Sequence, residues 1–154
     1  MNGTLPYRVP AWLPGGHAQT LYPLLVKPSR PNYRRERWDT PDGDFIDLDW
    51  VDTLPDAPLL VLFHGLEGSS ASHYATALMT AVQGAGWAGV VVHFRGCSGE
   101  PNRLPRAYHS GDSDEIDWIL CRLRARFPQR RMCVVGVSLG GNALLKWLGE
   151  RGSA

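Results

Sequence analysis

A chain of 154 residues with 44% apolar and 20% charged side chains fits one soluble domain able to bury a core. Its net charge of +1 gives no pull toward nucleic acid or an anionic membrane surface. Three cysteines, Cys97, Cys121 and Cys133, lack CxxC or zinc-type spacing and read as free thiols in a reducing compartment. No secretory leader opens the chain and no run of about 18 apolar residues occurs, so a cytoplasmic protein without a membrane span is expected.

Residues 1–33 form a proline-rich arm. Pro6, Pro10, Pro14, Pro23, Pro28 and Pro31 disfavour regular structure, leaving room for one short helix near His17 to Leu25. A second unit is expected over 34–154. It begins with Arg34 to Thr40, a turn at Pro41-Asp42-Gly43, and the alternating apolar residues Phe45, Ile46, Leu48 and Trp50, which together read as an antiparallel hairpin.

The rhythm then becomes strand, helix, strand, helix. Leu59 to Phe63 is a short apolar run of the kind buried on both faces. Ser72 to Gln83 carries Ala75, Leu78, Met79 and Val82 at helical spacing, and Gly84-Ala85-Gly86 stops it. Trp87 to Phe94 is a second buried strand. Asp112 and Glu115 have the spacing of a capping box ahead of the stripe Ile116, Ile119, Leu120, Leu123 and Phe127, with Pro128 at its end. Met132 to Val137 is a third buried strand. Leu139 to Leu148 is a helix with Leu144, Leu145 and Leu148 as its expected packing face. This alternation predicts an α/β fold: a mostly parallel sheet flanked by helices, with the antiparallel hairpin at its N-terminal side.

Gly136-Val137-Ser138-Leu139-Gly140 falls where the third strand meets the last helix, the setting of a nucleophile elbow. Gly136 and Gly140 keep the turn small, and Ser138 sits at a helix N-terminus that favours negative charge. A tetrahedral intermediate of acyl transfer needs donors for its oxygen. The Leu139 N–H supplies one, and the Leu66 N–H of the loop His64-Gly65-Leu66-Glu67-Gly68 is the expected second. His17, His64, His73, His93 and His109 all precede the serine. His64 is read as bracing its loop, and the others as structural or solvent-facing. Glu150 is the only acid after Ser138 and lies more than two helical turns away. Without a base a serine keeps an alcohol pKa and is a poor nucleophile. No phosphate-binding glycine loop and no ligand-like histidine spacing are present, so neither a nucleotide nor a metal nor any other cofactor is expected.

Four blocks, LPGGHAQTLYP, FHGLEGSSASHY, HFRGCSGEPNRLPRAYHSGD and GVSLGGNALLKWLGE, span the whole chain. With the order of elements they resemble the YheT-type branch of the α/β-hydrolase superfamily, esterase-like cytoplasmic proteins with eukaryotic relatives. The resemblance implies the N-terminal part of that fold, Ser138 as nucleophile, and Leu66 and Leu139 at the oxyanion positions. It implies short-chain carboxylester hydrolysis through an acyl-enzyme on a small ester or lipid-like substrate. Members of the family carry their acid and histidine on strands beyond the nucleophile helix, so a C-terminally truncated hydrolase is expected. Its nucleophile strand would form an open sheet edge able to pair with another chain. Two alternatives stay open: an acyltransferase on the same fold, and an inactive fragment acting as a binding module.

Overall fold

The computed structural model describes residues 8–25 and 30–152. In chain order the elements are α1 (Gly16–Leu25), β1 (Arg34–Asp39), β2 (Phe45–Val51), β3 (Leu59–Phe63), α2 (His73–Gly84), β4 (Ala88–Val92), α3 (Ser113–Arg126), β5 (Met132–Gly136) and α4 (Leu139–Arg151). The five strands form one sheet in the order β1-β2-β4-β3-β5. The first hairpin is antiparallel and joins β4 antiparallel, while β3 is parallel to both β4 and β5. The chain is therefore an α/β protein with a mixed sheet and an initial hairpin, as the sequence predicts. Among the described residues, no helix is long and apolar enough to cross a membrane.

The strand period of two divides the core. Leu59, Val61 and Phe63 of β3 and Val90 and Val92 of β4 point to the face covered by α3 and α4. Leu60, Leu62 and Val91 point to the face covered by α2, against Ala75, Met79 and Val82. A side chain at Gly89 would meet Met79 Sδ at 2.5 Å, so glycine there lets α2 lie close on β4. Strand β2 is buried throughout, although Asp47 and Asp49 alternate with its apolar residues. Arg37 and Arg35 of β1 neutralise them with paired hydrogen bonds of 2.7–2.9 Å.

Two local expectations are corrected. Asp112 stands at the N-cap of α3 but makes no side-chain cap bond. Its Oδ1 instead accepts from Arg106 Nη2 at 2.6 Å, and Glu115 Oε2 accepts from Arg95 Nε at 2.8 Å. Charge-assisted bonds to guanidinium outcompete a neutral backbone donor, so no capping box forms. On α4, Leu144 is buried, but Leu145 is 69% and Leu148 46% exposed. The helix turns Gly140, Ala143 and Leu144 inward, because the small residues allow the closest approach to β3.

The register places the site. Phe63 pairs with Val92 and with Gly136, so the last residues of β3, β4 and β5 lie side by side. The segments that follow them, 64–72, 93–112 and 137–138, all leave one edge of the sheet. In open parallel sheets that carboxyl edge is where ligands bind.

Candidate active site

Ser138 occupies the step between β5 and α4 with φ 51° and ψ −114°, a region that disfavours any residue with a Cβ. The turn is possible because its neighbours are glycines. A Cβ on Gly136 would lie 2.6 Å from Gly141 Cα, and one on Gly140 would lie 2.5 Å from the carbonyl oxygens of Phe63 and His64. The bond Val137 N–H to Phe63 O, 3.0 Å, extends the β3–β5 pairing to the residue before the serine. Ser138 is exposed, and its hydroxyl makes no cap bond to the helix it precedes.

The loop after β3 runs against the serine. A Cβ at Gly65 would sit 3.3 Å from Ser138 Cβ. Within this loop the Gly65 N–H donates to Tyr74 Oη at 3.0 Å, the Glu67 N–H to Tyr108 Oη at 2.8 Å, and the Gly68 N–H to Gly65 O at 3.0 Å. Across the serine, the Gly140 N–H donates to Val137 O at 3.0 Å. The N–H groups of Leu66 and Leu139 find no acceptor among the described residues. Glu67 also holds a left-handed conformation, φ 53°. Ser138 and Glu67 are the two non-glycine residues with positive φ among those described, and both lie at this edge.

His64 is fully buried at the end of β3. Its Nε2 accepts the Phe94 N–H at 3.1 Å, which leaves Nδ1 as the protonated nitrogen, donating to Gly65 O at 2.7 Å. Burial pushes its pKa down to about 4. Both nitrogens are committed, so this ring braces the loop, as expected. His93 is equally buried, with Nε2 2.9 Å from Asp49 Oδ2 and Nδ1 3.2 Å from Cys97 O. Burial alone would raise the Asp49 carboxyl, but bonds from Arg35, His93 and Ser70 hold it well below the ordinary carboxylate range. His109 is exposed, and its Nδ1 accepts the Gly111 N–H at 3.1 Å. His73 opens α2 and His17 lies in α1. Among the described residues, no histidine is hydrogen-bonded to the Ser138 hydroxyl.

The structure thus brings together Gly136, Ser138, Leu139, Gly140 and Leu66, all singled out in the sequence. Sequence reasoning missed Tyr74, Tyr108 and Glu67. Both tyrosines fall inside the blocks of family resemblance, but nothing in their spacing says that a phenol oxygen meets a loop amide 9 or 41 residues away. Among the described residues, no cluster of three or more histidine, cysteine or carboxylate side chains could hold a metal ion.

Comparison with known proteins adds the following. Residues 58–153 match a family model described as alpha/beta hydrolase fold. The chain is 47% identical over 143 residues to "Putative esterase YheT" of Escherichia coli (strain K12), covering 89% of this chain and 42% of that protein. It is 31% identical over 156 residues to "Phospholipase ABHD3" of Homo sapiens, covering 96% of this chain and 38% of that protein. The chain thus spans about two fifths of the length of these relatives. Among solved structures, the Pyrococcus furiosus esterase Pf2001 superposes with a TM-score of 0.62 at 19% identity, over 82% of this chain and 54% of that one. XC6422 from Xanthomonas campestris, described as an a/b serine hydrolase without lid, superposes with a TM-score of 0.60 at 19% identity, over 81% and 58%. These two likenesses concern the fold.

Proposed function

The chain belongs to the α/β-hydrolase fold family, in its YheT-type branch, and from that premise we propose that it carries the nucleophilic half of a serine carboxylesterase active site. In this reading Ser138 Oγ attacks the carbonyl carbon of a short-chain ester. A C–O bond forms, and the carbonyl oxygen takes the negative charge. The N–H groups of Leu66 and Leu139 receive that oxyanion, each worth on the order of 3 kcal/mol in the transition state. The alkoxide leaves with a proton, and an acyl-serine ester remains for water to cleave. The names of the relatives, an esterase and a phospholipase, agree with an ester substrate.

One observation carries the reading. An exposed serine in a strained strand-to-helix turn lies against a loop whose Leu66 amide has no acceptor among the described residues, while the amides on either side of that residue are both occupied. In this scheme a proton acceptor must be brought to Ser138, since no histidine among the described residues is hydrogen-bonded to its hydroxyl. A positioned base commonly contributes about 10²- to 10⁴-fold in rate. These residues alone should therefore hydrolyse p-nitrophenyl acetate little faster than buffer does, and a fluorophosphonate in excess should modify Ser138 slowly and selectively. Mass spectrometry after prolonged incubation tests this. Modification at other serines with Ser138 untouched would sink the nucleophile assignment. Fast turnover that vanishes in Ser138→Ala would show that the base lies within this chain.

A further inference from the structure

We propose that Tyr108 is a positioning residue that reserves the Leu66 amide for the oxyanion, acting through the backbone of Glu67. The inference deepens the esterase reading and rests on its choice of Leu66 and Leu139 as the oxyanion donors.

The argument starts from the two peptide units that flank the Leu66 Cα. A trans peptide points its C=O and N–H in opposite directions. In the first unit the oxygen, Gly65 O, receives both His64 Nδ1–H at 2.7 Å and Gly68 N–H at 3.0 Å, so the Leu66 N–H must point away from those donors. In the second unit the Glu67 N–H is bound at 2.8 Å by Tyr108 Oη. With both planes fixed, Leu66 has no freedom to turn its amide aside. The second clamp is needed because Glu67, at φ 53°, sits where a residue with a Cβ is strained. Without a partner, its peptide could swing back toward an ordinary conformation and carry Leu66 with it.

Tyr108 is built to hold still. Its ring stacks parallel on buried Phe94, with centroids 5.2 Å apart and planes 1° apart, and stands edge-on to His64 at 6.4 Å. Burial pushes its phenol up to about 12, so the oxygen stays protonated and can also offer its hydrogen to Glu67 Oε1 at 3.5 Å. Two residues on, Ser110 O accepts from Asn142 Nδ2 of α4 at 2.8 Å. The 93–112 segment therefore grips the helix that bears Leu139 as well as the loop that bears Leu66.

Tyr108→Phe keeps the stack and removes only the oxygen. The test is a titration of the ¹⁵N-labelled chain with a short alkylboronic acid. Boron accepts the Ser138 oxygen, one B–O bond forms and the hydroxyl proton leaves to solvent, giving a tetrahedral anion. In the unaltered chain the Leu66 and Leu139 amide protons should both move downfield, and in Ser138→Ala neither should. In Tyr108→Phe the affinity should fall about five- to tenfold, as for loss of one supporting hydrogen bond. The Leu66 response should shrink while that of Leu139 persists, a selectivity that general loosening would not give. Affinity within twofold and an undiminished Leu66 shift would overturn the role of Tyr108 and leave the esterase reading intact. No response at Leu66 or Leu139 in the unaltered chain would overturn the donor assignment and this inference with it. Hydrogen exchange in the unaltered chain gives an independent check if the variant fails to fold. The Glu67 amide should exchange at least tenfold more slowly than that of Leu66, and equal rates would refute the clamp.

Discussion

Gly140→Ala tests the packing that sets the elbow. The added Cβ would lie 2.5 Å from Phe63 O and from His64 O, and 2.7 Å from Phe63 C. Those distances are nearly an ångström short of the 3.4 Å at which ordinary contact begins. Every atom met belongs to the backbone at the end of β3, so no rotamer change can relieve the clash, and α4 must retreat from the sheet. Overpacking of this kind costs about 1–3 kcal/mol. Retreat also stretches the Val137–Phe63 hydrogen bond, worth about 1 kcal/mol. Alanine regains roughly 1 kcal/mol over glycine in a helix. The net expectation is a loss of about 1–3 kcal/mol, which for a domain of this size lowers Tm by roughly 2–12 °C. Gly149→Ala in the same helix is the matched control, since a Cβ there meets nothing within 4 Å. It should gain about 0.5–1 kcal/mol. Urea unfolding followed by far-ultraviolet circular dichroism measures both. If Gly140→Ala is as stable as the unaltered chain, or Gly149→Ala loses as much as Gly140→Ala, then the α4–β3 contact does not constrain the turn as argued.

The buried charge cluster and His64 give two more tests. Arg95 is buried with Asp44 and Glu115, and bonds both along with Asp42. Arg95→Met leaves buried carboxylates uncompensated and should cost about 3–5 kcal/mol, with part recovered in Arg95→Met/Glu115→Gln; a loss under 1 kcal/mol in chemical unfolding would contradict this. His64 is held neutral by burial, with its pKa down at about 4 against 6.5 when unfolded. The unfolded chain therefore takes up the proton first as pH falls. The contribution of His64 is fully present above about pH 6.5 and is lost toward pH 4, up to about 3 kcal/mol in all. Unfolding free energies measured from pH 7 to 4.5 should show this slope in the unaltered chain and a shallower one in His64→Asn, whereas equal slopes would remove the histidine from the account.

Much of this was legible in the sequence because it depends on local chemistry. The apolar runs at Leu59–Phe63 and Met132–Gly136 are too short for buried helices, and they are strands. Glycines at 136 and 140 speak of close backbone approach, and both are packed against backbone. What escaped depends on partners far apart in the chain. Arg95 meets Asp42 and Asp44 across 53 and 51 residues, and the Asp112–Glu115 spacing that suggests a cap is overruled by Arg106, six residues from Asp112, and by Arg95, 20 residues from Glu115. The face of α4 differs from the leucine pattern for a related reason. Leucines outweigh glycine and alanine in any apolar pattern, yet it is the small residues at 140 and 143 that admit the helix to the sheet.

The placement of strain connects these points. Among the described residues two with side chains sit at positive φ, Ser138 and Glu67, each at a cost on the order of 1–3 kcal/mol. Each is held by something rigid: Ser138 by a turn whose flanking glycines rest on backbone, and Glu67 by a phenol stacked on a buried ring. The strained geometry leaves the Ser138 hydroxyl without a cap bond to its own helix, and the Leu66 and Leu139 amides find no acceptor among the described residues. Relaxing either residue would satisfy local backbone preference. The three parallel strands ending at one level are what prevent that, because Phe63 pairs with both Val92 and Gly136 and so ties the loop, the clamp and the elbow to the same rigid edge. On the proposed reading, a proton acceptor brought to Ser138 would meet donors already in place, and its contribution would be to activate the serine.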